Sequence, residues 1–441
     1  MVRVLLNYGA REIGAGETGV SRESQEDGIL PVQQPLSERK DRWTPLHLAA
    51  NNGKVAIVRL LLDRGANVNA ENDIGDTPLH SVSWGIYESH EDGIGVAQLL
   101  LEYGADANAR RNDRWTPLHL AAHNGKVAIA RLLLDHGAKT NAETDIGDTP
   151  LHSVSWGIYK SREDGARVAQ LLLESHVDVN ARRNDLWTPL HLAAHNGKVA
   201  IARLLLDRGA TANAENDIGG TPLHSLSWGK YEPKEDGVRV AQLLLERGVD
   251  VNARRKDRWT PLHVAAHSGD LAIAQLLLDH GAKANAENDI GGTPLHSLSW
   301  GKYESQENGV RVAQLLLERG ADVDARREDR LTPLLVASHN GMLDIVRHLL
   351  NQGAKVDAVD VSGKTPLHEV SQGAYASEDA GVGVARLLLE YGADVNTKTK
   401  SGETPIDAAC RCQRFKLAEL LLESIASVHA ETMGELGNGR N

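Results

Sequence analysis

Large aromatic side chains are scarce in this chain: there is a single Phe in 441 residues, and Phe, Trp and Tyr together make up 4%. A core without them must be filled by Leu, Ile, Val and Ala, which suits thin, closely spaced layers. Cysteine is nearly absent. Cys410 and Cys412 are the only two, which excludes a disulfide framework and a four-cysteine zinc site. Apolar runs are short, and none approaches the roughly 18 residues that a membrane-spanning helix needs. The run in MVRVLLNYGA is too brief for a secretory signal. Positive charge is in deficit, with 48 Lys and Arg against 60 Asp and Glu and a formal net charge of −12. Nonspecific nucleic-acid binding, which depends on cations neutralising phosphates, is therefore not expected. A hydrophobic share of 41% separates the chain from disordered polymers, and a cytoplasmic or nuclear location is expected.

What the sequence does have is repetition. Thr-Pro pairs begin at Thr44, Thr77, Thr116, Thr149, Thr188, Thr221, Thr260, Thr293, Thr332, Thr365 and Thr404, with gaps alternating between 33 and 39 residues. The unit is a 72-residue pair used five times, plus one closing repeat. In the repeat at Thr116, the threonine can cap a helix and Pro117 suits its first position, where a missing N–H is harmless. Leu118, Ala121 and Ala122 fall on one face, and the alanines allow neighbouring helices to approach closely. Asn124-Gly125 turns the chain into a second helix through Ile129, Leu132 and Leu133, which Gly137 ends. Twelve residues then lead to Thr149, enough for an extended hairpin-like connection. A single pair of this kind cannot bury its own apolar face and must stack on the next.

The strings WTPLHLAAHNGKVAIARLLLDHGA and TPLHSVSWG…VAQLLLEYGADANA resemble the ankyrin repeat family in their Thr-Pro-Leu-His start, Leu-Leu-Leu second helix and Gly-Ala-Asp-Val-Asn-Ala ending. The resemblance covers about residues 41–430. It implies an all-α solenoid of stacked antiparallel helix pairs with projecting β-hairpin fingers. It also implies a binding scaffold without chemistry of its own.

The long repeats depart from that pattern by six extra residues between their helices, read as a loop: WGIYESHEDG from Trp84, WGIYKSREDG from Trp156, WGKYEPKEDG from Trp228 and WGKYESQENG from Trp300. In the fifth copy Gln372 replaces Trp and Tyr375 remains. By analogy with the family, these loops lie on the edge opposite the finger tips. Trp84, Tyr87, Trp156, Tyr159, Trp228, Tyr231, Trp300 and Tyr303 either pack on the turn of an adjacent repeat or form a periodic binding ledge. The acidic run Glu91-Asp92 lacks the ligand spacing of an EF-hand.

The fingers alternate in charge. Asn108 to Trp115 carries +2, Asn141 to Asp148 carries −3, and the contrast fades to 0 over Asp324 to Leu331. The basic pairs Arg110-Arg111, Arg182-Arg183 and Arg254-Arg255 either join a ladder of surface ion pairs or meet a partner of matching charge. Trp43, Trp115, Trp187 and Trp259 stand directly before a Thr-Pro start, at a finger position that often contacts partners in the family. Their preceding residues, Arg42, Arg114, Leu186 and Arg258, replace the Gly kept at Gly75, Gly147, Gly219 and Gly291. Trp with Arg has the composition of an interface hot spot. The competing reading is an Arg stacked on Trp that closes each finger on its neighbour.

Histidine is plentiful, at 19, but its spacing gives neither a zinc cluster nor a base beside a nucleophile. By resemblance, those of the Thr-Pro-Leu-His type bond backbone within their own repeat. No catalytic, cofactor or metal site is expected. Residues 1–40 resemble a degenerate or truncated repeat with a poorly ordered linker, or a chain start cut from a longer array, while 431–441 read as a flexible tail. The expected function is a monomeric, non-enzymatic scaffold that binds a protein partner through its fingers and inner helices. A structural or self-associating spacer is the alternative, as is a substrate adaptor in a larger complex. A ubiquitin-ligase adaptor would need an F-box or SOCS-box-like segment, and none is recognisable.

Overall fold

A computed structural model of the chain describes residues 42–87, 89–229, 234–301, 306–375 and 377–438. The degenerate repeat expected in residues 1–40, Tyr231 and Tyr303 lie outside the described residues. The chain divides into two compact units, one ending at Asp113 and one beginning at Arg114, built on the same plan. The first contains α1 (Pro45–Asn51), α2 (Val55–Asp63), α3 (Pro78–Trp84) and α4 (His90–Glu102). The second begins with α5 (Pro117–His123), α6 (Val127–Asp135), α7 (Pro150–Trp156) and α8 (Arg162–Leu173). It continues with α9 (Pro189–His195), α10 (Val199–Asp207), α11 (Pro222–Ser225, followed by a 3₁₀ turn Leu226–Trp228) and α12 (Glu235–Glu246). Next come α13 (Pro261–Ser268), α14 (Leu271–Asp279), α15 (Pro294–Leu298) and α16 (Gln306–Glu318). The last pairs are α17 (Pro333–His339) with α18 (Leu343–Asn351), α19 (Pro366–Gln372) with α20 (Glu378–Glu390), and α21 (Pro405–Arg411) with α22 (Phe415–Asn438). The segment from 431 read above as a tail is thus helical through Asn438. It contains no proline to stop α22, and its two glycines, Gly434 and Gly437, are each tolerated in a helix at about 1 kcal/mol.

Every first helix starts alike. Thr116 is extended, at φ −108° and ψ 164°, and Pro117 takes the first helical position. His119 three residues on completes a capping box in the place more often held by Glu or Gln. Leu118, Ala121, Ala122, Ile129 and Leu133 are buried, and first helices stack side by side, α5 on α7 and α7 on α9. The alanines keep these layers thin, so the core forms between repeats and not within any one of them.

The six additional residues of the long repeats are not all loop. The second helix grows from 9 residues in α6 to 13 in α4. Its start is set by Ser89, whose hydroxyl accepts from the Asp92 N–H at 3.2 Å, and by Ser161 and Ser377 in the same way in α8 and α20. The acidic Glu91-Asp92 pair therefore sits in the first turn of α4, where negative charge complements the helix dipole.

The tyrosines of the long repeats are wedges. Tyr159 packs against Gly125 of the preceding turn, where a Cβ would lie 3.1 Å from its ring. A Cβ on Gly165 of α8 would overlap the ring outright. From the following repeat, Lys198 places its ammonium 4.4 Å from the ring centroid and donates to the Gly157 carbonyl at 2.8 Å. Arg414 treats Tyr375 in the same manner, at 4.6 Å, and donates to the Gly373 carbonyl at 2.9 Å. The hydroxyls of Tyr87 and Tyr375 donate to the Val82 and Val370 carbonyls. Burial pushes the Tyr87 and Tyr159 hydroxyl pKa values up.

Three hydrogen-bond ladders join successive repeats in the second unit. In the first, the Thr116 N–H donates to His119 Nδ1 at 3.2 Å, which leaves the proton on Nε2 to donate to the Asp148 carbonyl at 3.0 Å. His152 reaches Trp187 at 3.1 Å, His191 reaches Gly220 at 3.0 Å, His224 reaches Trp259 at 3.1 Å and His263 reaches Gly292 at 3.0 Å. These histidines bond their own repeat, as the resemblance implies, and the next finger as well. In the second ladder, Asn180 donates to the Gly209 carbonyl at 3.4 Å and accepts from the Thr211 N–H at 2.8 Å, and Asn252 repeats this with Gly281 and Lys283. The third runs along the finger tips. Asn184 donates to Ile146 (3.0 Å), Asp217 to Asp185 (3.0 Å), Lys256 to Ile218 (2.9 Å) and Asp289 to Asp257 (3.1 Å). The described finger residues contain turns and no strand; each finger is closed by a pair such as Arg183 N–H to the Trp187 carbonyl at 3.0 Å.

Two outcomes follow from this packing. Burial lowers His152 to about 3 and His191, His224, His263 and His296 to about 4, against an ordinary value of 6.5. Below pH 6.5 the unfolded chain takes up protons on these rings and the folded chain does not, so stability is lost as the pH falls towards 4. At pH 5 the loss reaches up to about 2 kcal/mol per imidazole. Burial raises Asp148 to about 6, which offsets one histidine's worth of this loss at most. Urea midpoints measured from pH 7 to pH 5 should drop steadily, and a constant midpoint would refute the buried neutral imidazoles. For the wedge, Tyr159→Ala should cost about 3 kcal/mol and Gly165→Ala about 1–3 kcal/mol. The double variant should cost clearly less than their sum in the same urea melts, because the added methyl then fills the vacated space.

Candidate protein-interaction face

The residues before each short-repeat Thr-Pro start are held rigidly. The Trp187 carbonyl accepts from Arg183 N–H and from His152, and its N–H donates to Asp185 Oδ1 at 3.1 Å. Trp259 repeats this with Arg255, His224 and Asp257. The indoles are half-buried against the histidines of their own first helix. Ring centroids lie 5.7 Å apart for Trp115 and His119, 5.6 Å for Trp187 and His191, and 5.7 Å for Trp259 and His263. A second histidine meets the same indole edge-on: His123 with Trp115 at 6.0 Å, His195 with Trp187 at 5.7 Å and His267 with Trp259 at 5.8 Å.

Trp84 and Trp156, two of the long-repeat tryptophans, pack on the tryptophans that precede the short repeats and not on an edge opposite them. Trp156 is the last residue of α7, a first helix, and packs T-shaped on Trp115 at 6.0 Å and tilted on His123 at 4.3 Å. In the first unit Trp84 meets Trp43 at 6.0 Å, and Trp43 meets His47 at 5.9 Å. Within each unit a tryptophan of one set thus meets a tryptophan of the other, although the two are separate in sequence. Trp300 is 50% exposed, with the Arg327 guanidinium 5.2 Å from its ring. The side chain of Trp228 lies outside the described residues. Burial, with a smaller contribution from Lys198, lowers His123 to about 4, so it faces the indoles uncharged at neutral pH.

The paired arginines divide into two roles. Arg110, Arg182 and Arg254 are exposed, whereas the second member of each pair is tucked inward. Arg183 Nε stands 3.6 Å from the buried Asp148 carboxylate, and Arg111 bears the same relation to Asp76. At the equivalent positions Gly220 and Gly292 carry no carboxylate. There Arg255, 12% exposed, pairs with Asp257 of its own finger at 2.9 Å, as Arg183 does with Asp185 at 3.4 Å, and lies 5.9 Å from the Trp259 ring centroid. Arg42 is exposed and 3.6 Å from Asp73. The arginine near Trp259 is Arg255 of the same finger, not the tip residue Arg258, and its ion pair with Asp257 also stays within that finger.

Where ankyrin-like fingers keep a glycine, this chain holds side chains in the left-handed region. φ is 64° at Arg114, 61° at Leu186, 60° at Arg258 and 65° at Arg330. All four are exposed. The alternate tips retain glycine, at φ 80° for Gly147 and 75° for Gly219, next to exposed isoleucines such as Ile146 (48%) and Ile218 (37%). Sequence reasoning missed these isoleucines, although the string Asp-Ile-Gly recurs at the same 72-residue interval. Among the described residues no group of three His, Cys, Asp or Glu side chains converges to hold a metal, and no helix is long and apolar enough to cross a membrane.

Comparison with known proteins agrees with the architecture. Models for ankyrin repeats match residues 88–163, 158–233, 233–307 and 302–380, with further ankyrin matches at 41–73 and 374–422. A putative ankyrin repeat protein of Rickettsia bellii is 58% identical over 38 residues, 9% of this chain and 16% of that protein. Rabankyrin-5 of Homo sapiens is 33% identical over 178 residues, 40% of this chain and 14% of that protein. A transient receptor potential cation channel subfamily A member 1 homolog of Caenorhabditis elegans is 39% identical over 72 residues, 16% of this chain and 6% of that protein. The chain thus spans a small part of the length of these relatives. Ankyrin repeats serve generally as protein–protein interaction modules, on a fold that is not itself enzymatic. Matches running from residue 41 to residue 422 place this chain in the ankyrin repeat family.

Proposed function

We propose that the chain is a non-enzymatic scaffold that holds a protein partner on its finger tips and on the aromatic face between fingers and first helices. The observation that carries this reading is the left-handed backbone at Arg114, Leu186, Arg258 and Arg330. A non-glycine residue there costs roughly 1–2 kcal/mol, and the alternate fingers show that glycine fits the same turn. Four side chains kept at a strained, exposed position are explained if the side chains themselves make contact. The exposed Arg110, Arg182 and Arg254 and the half-buried Trp43, Trp115, Trp187 and Trp259 flank these tips and complete the surface.

The tryptophans are a poor first test, because their removal would strip rings from the histidines beneath and destabilise the fold. Glycine at the four strained tips separates binding from stability. Replacing Arg114, Leu186, Arg258 and Arg330 by Gly should leave the thermal midpoint unchanged or raise it, by up to about 1 kcal/mol per site. Proteins captured from a lysate by the wild-type chain should be lost by this variant. Retention of the same captured proteins would show that the tips are not the contact surface.

A further inference from the structure

The second unit contains a recess of about 520 Å³ between one finger base and the next, lined by Asp250, Asn252, Arg254, Thr260, Lys283 and Ala286. Thr260 is the chain neighbour of Trp259, so the recess adjoins the proposed interaction face. Two cations, Arg254 and Lys283, outweigh the single Asp250, and all three are exposed.

The neighbouring positions invert this charge. One repeat earlier, the equivalents are Glu215, Asp250 and the uncharged Thr211; one repeat later, they are Lys283 with Glu287 and Asp322. Glu215, Glu287 and Asp322 are exposed as well. Two repeats away on either side the contrast is lost. Arg182 is balanced by Asp178, with Thr211 in place of the lysine, and Lys355 is engaged by Asp324 at 3.6 Å. Between Asp178 and Lys355 one cationic recess is therefore flanked by two anionic ones, whatever the net negative charge of the whole chain, and the same residue types recur in the sequence at Asp106, Arg110 and Lys139.

Spacing limits what can meet all three. Each finger is two chain widths, or about 10 Å, and the tips around this site are joined directly by the Asp217–Asp185, Lys256–Ile218 and Asp289–Asp257 backbone hydrogen bonds. A polyproline II segment advances about 9.3 Å in three residues and returns the same face with each turn. A β-strand would turn its third residue to the opposite face. We propose that this stretch docks an extended, polyproline II-like peptide segment of the pattern basic-x-x-acidic-x-x-basic. Its acidic side chain enters the Arg254–Lys283 recess, and its basic side chains meet Glu215–Asp250 and Glu287–Asp322. The assignment rests on the reading of the chain as a protein-binding scaffold and names the chemistry of its partner.

The test uses the full chain and labelled synthetic peptides, with binding followed by fluorescence anisotropy. Lys-Pro-Pro-Glu-Pro-Pro-Lys should bind at least tenfold more tightly than the permuted Glu-Pro-Pro-Lys-Pro-Pro-Lys, which has the same composition and net charge. Arg254→Glu, at an exposed position that leaves the packing intact, should abolish that preference and leave the melting curve unchanged. Equal affinity for the two peptides, no binding of either, or an unaltered preference in Arg254→Glu would each overturn the proposal. Tighter binding of an Ala-rich helical peptide with the same charges seven residues apart would also overturn it, in favour of a helical partner. None of these results touches the scaffold reading itself, which fails only if the glycine-tip variant keeps its captured proteins.

Discussion

The repeat depends on an imidazole buried at the start of nine of the eleven described first helices. It accepts from its own Thr N–H through Nδ1 and donates through Nε2 to a carbonyl of the next finger, as His191 does to Gly220 at 3.0 Å. One side chain thereby caps a helix, fixes its own tautomer and sets the register of the following repeat. Burial holds the ring uncharged, and the absence of charge makes the burial tolerable. Where this residue changes, its two tasks come apart. Leu335 leaves Thr332 to cap its helix alone, through the Leu335 N–H at 3.3 Å. Asp407 keeps the local task, accepting from the Thr404 N–H at 2.9 Å, in the last pair of helices.

Upon this frame the chain alternates two kinds of finger. In one, Arg183 leans on a buried Asp148 and the tip residue Leu186 is strained; in the other, Gly147 turns without strain and exposes Ile146. Arg183 meets both the buried Asp148 and Asp185 of its own finger; where Gly220 or Gly292 takes the place of the buried aspartate, the arginine pairs with Asp257 or Asp329 of its own finger and lies near Trp259 or Trp300. In the second unit the charge at the finger bases changes from one repeat to the next, from Glu215 to Arg254 to Glu287.

The extra residues of the long repeats serve packing first. Half or more of the added length is helix, begun by a serine cap, and the tyrosine is clamped between a glycine of the preceding turn and a cation of the following repeat. A run of acidic residues that looks functional in one dimension is the first turn of a helix in three.

The sequence by itself determined the architecture. A Thr-Pro start, a small-residue first helix and a glycine stop are local instructions, and their recurrence at 33 and 39 residues left stacking as the only way to bury the apolar faces. It also exposed Arg114, Leu186 and Arg258 as anomalies, because a turn that favours glycine is a local requirement. Only the tertiary structure decided which side chains share a surface. Trp115 and Trp156 lie 41 residues apart and belong to different repeats, yet their rings meet at 6.0 Å. Arg182 and Arg183 are neighbours, yet one faces solvent and the other the carboxylate of Asp148. Such pairings are set by how one repeat settles on the next, and the one-dimensional period records that a neighbour exists without recording which atoms it presents.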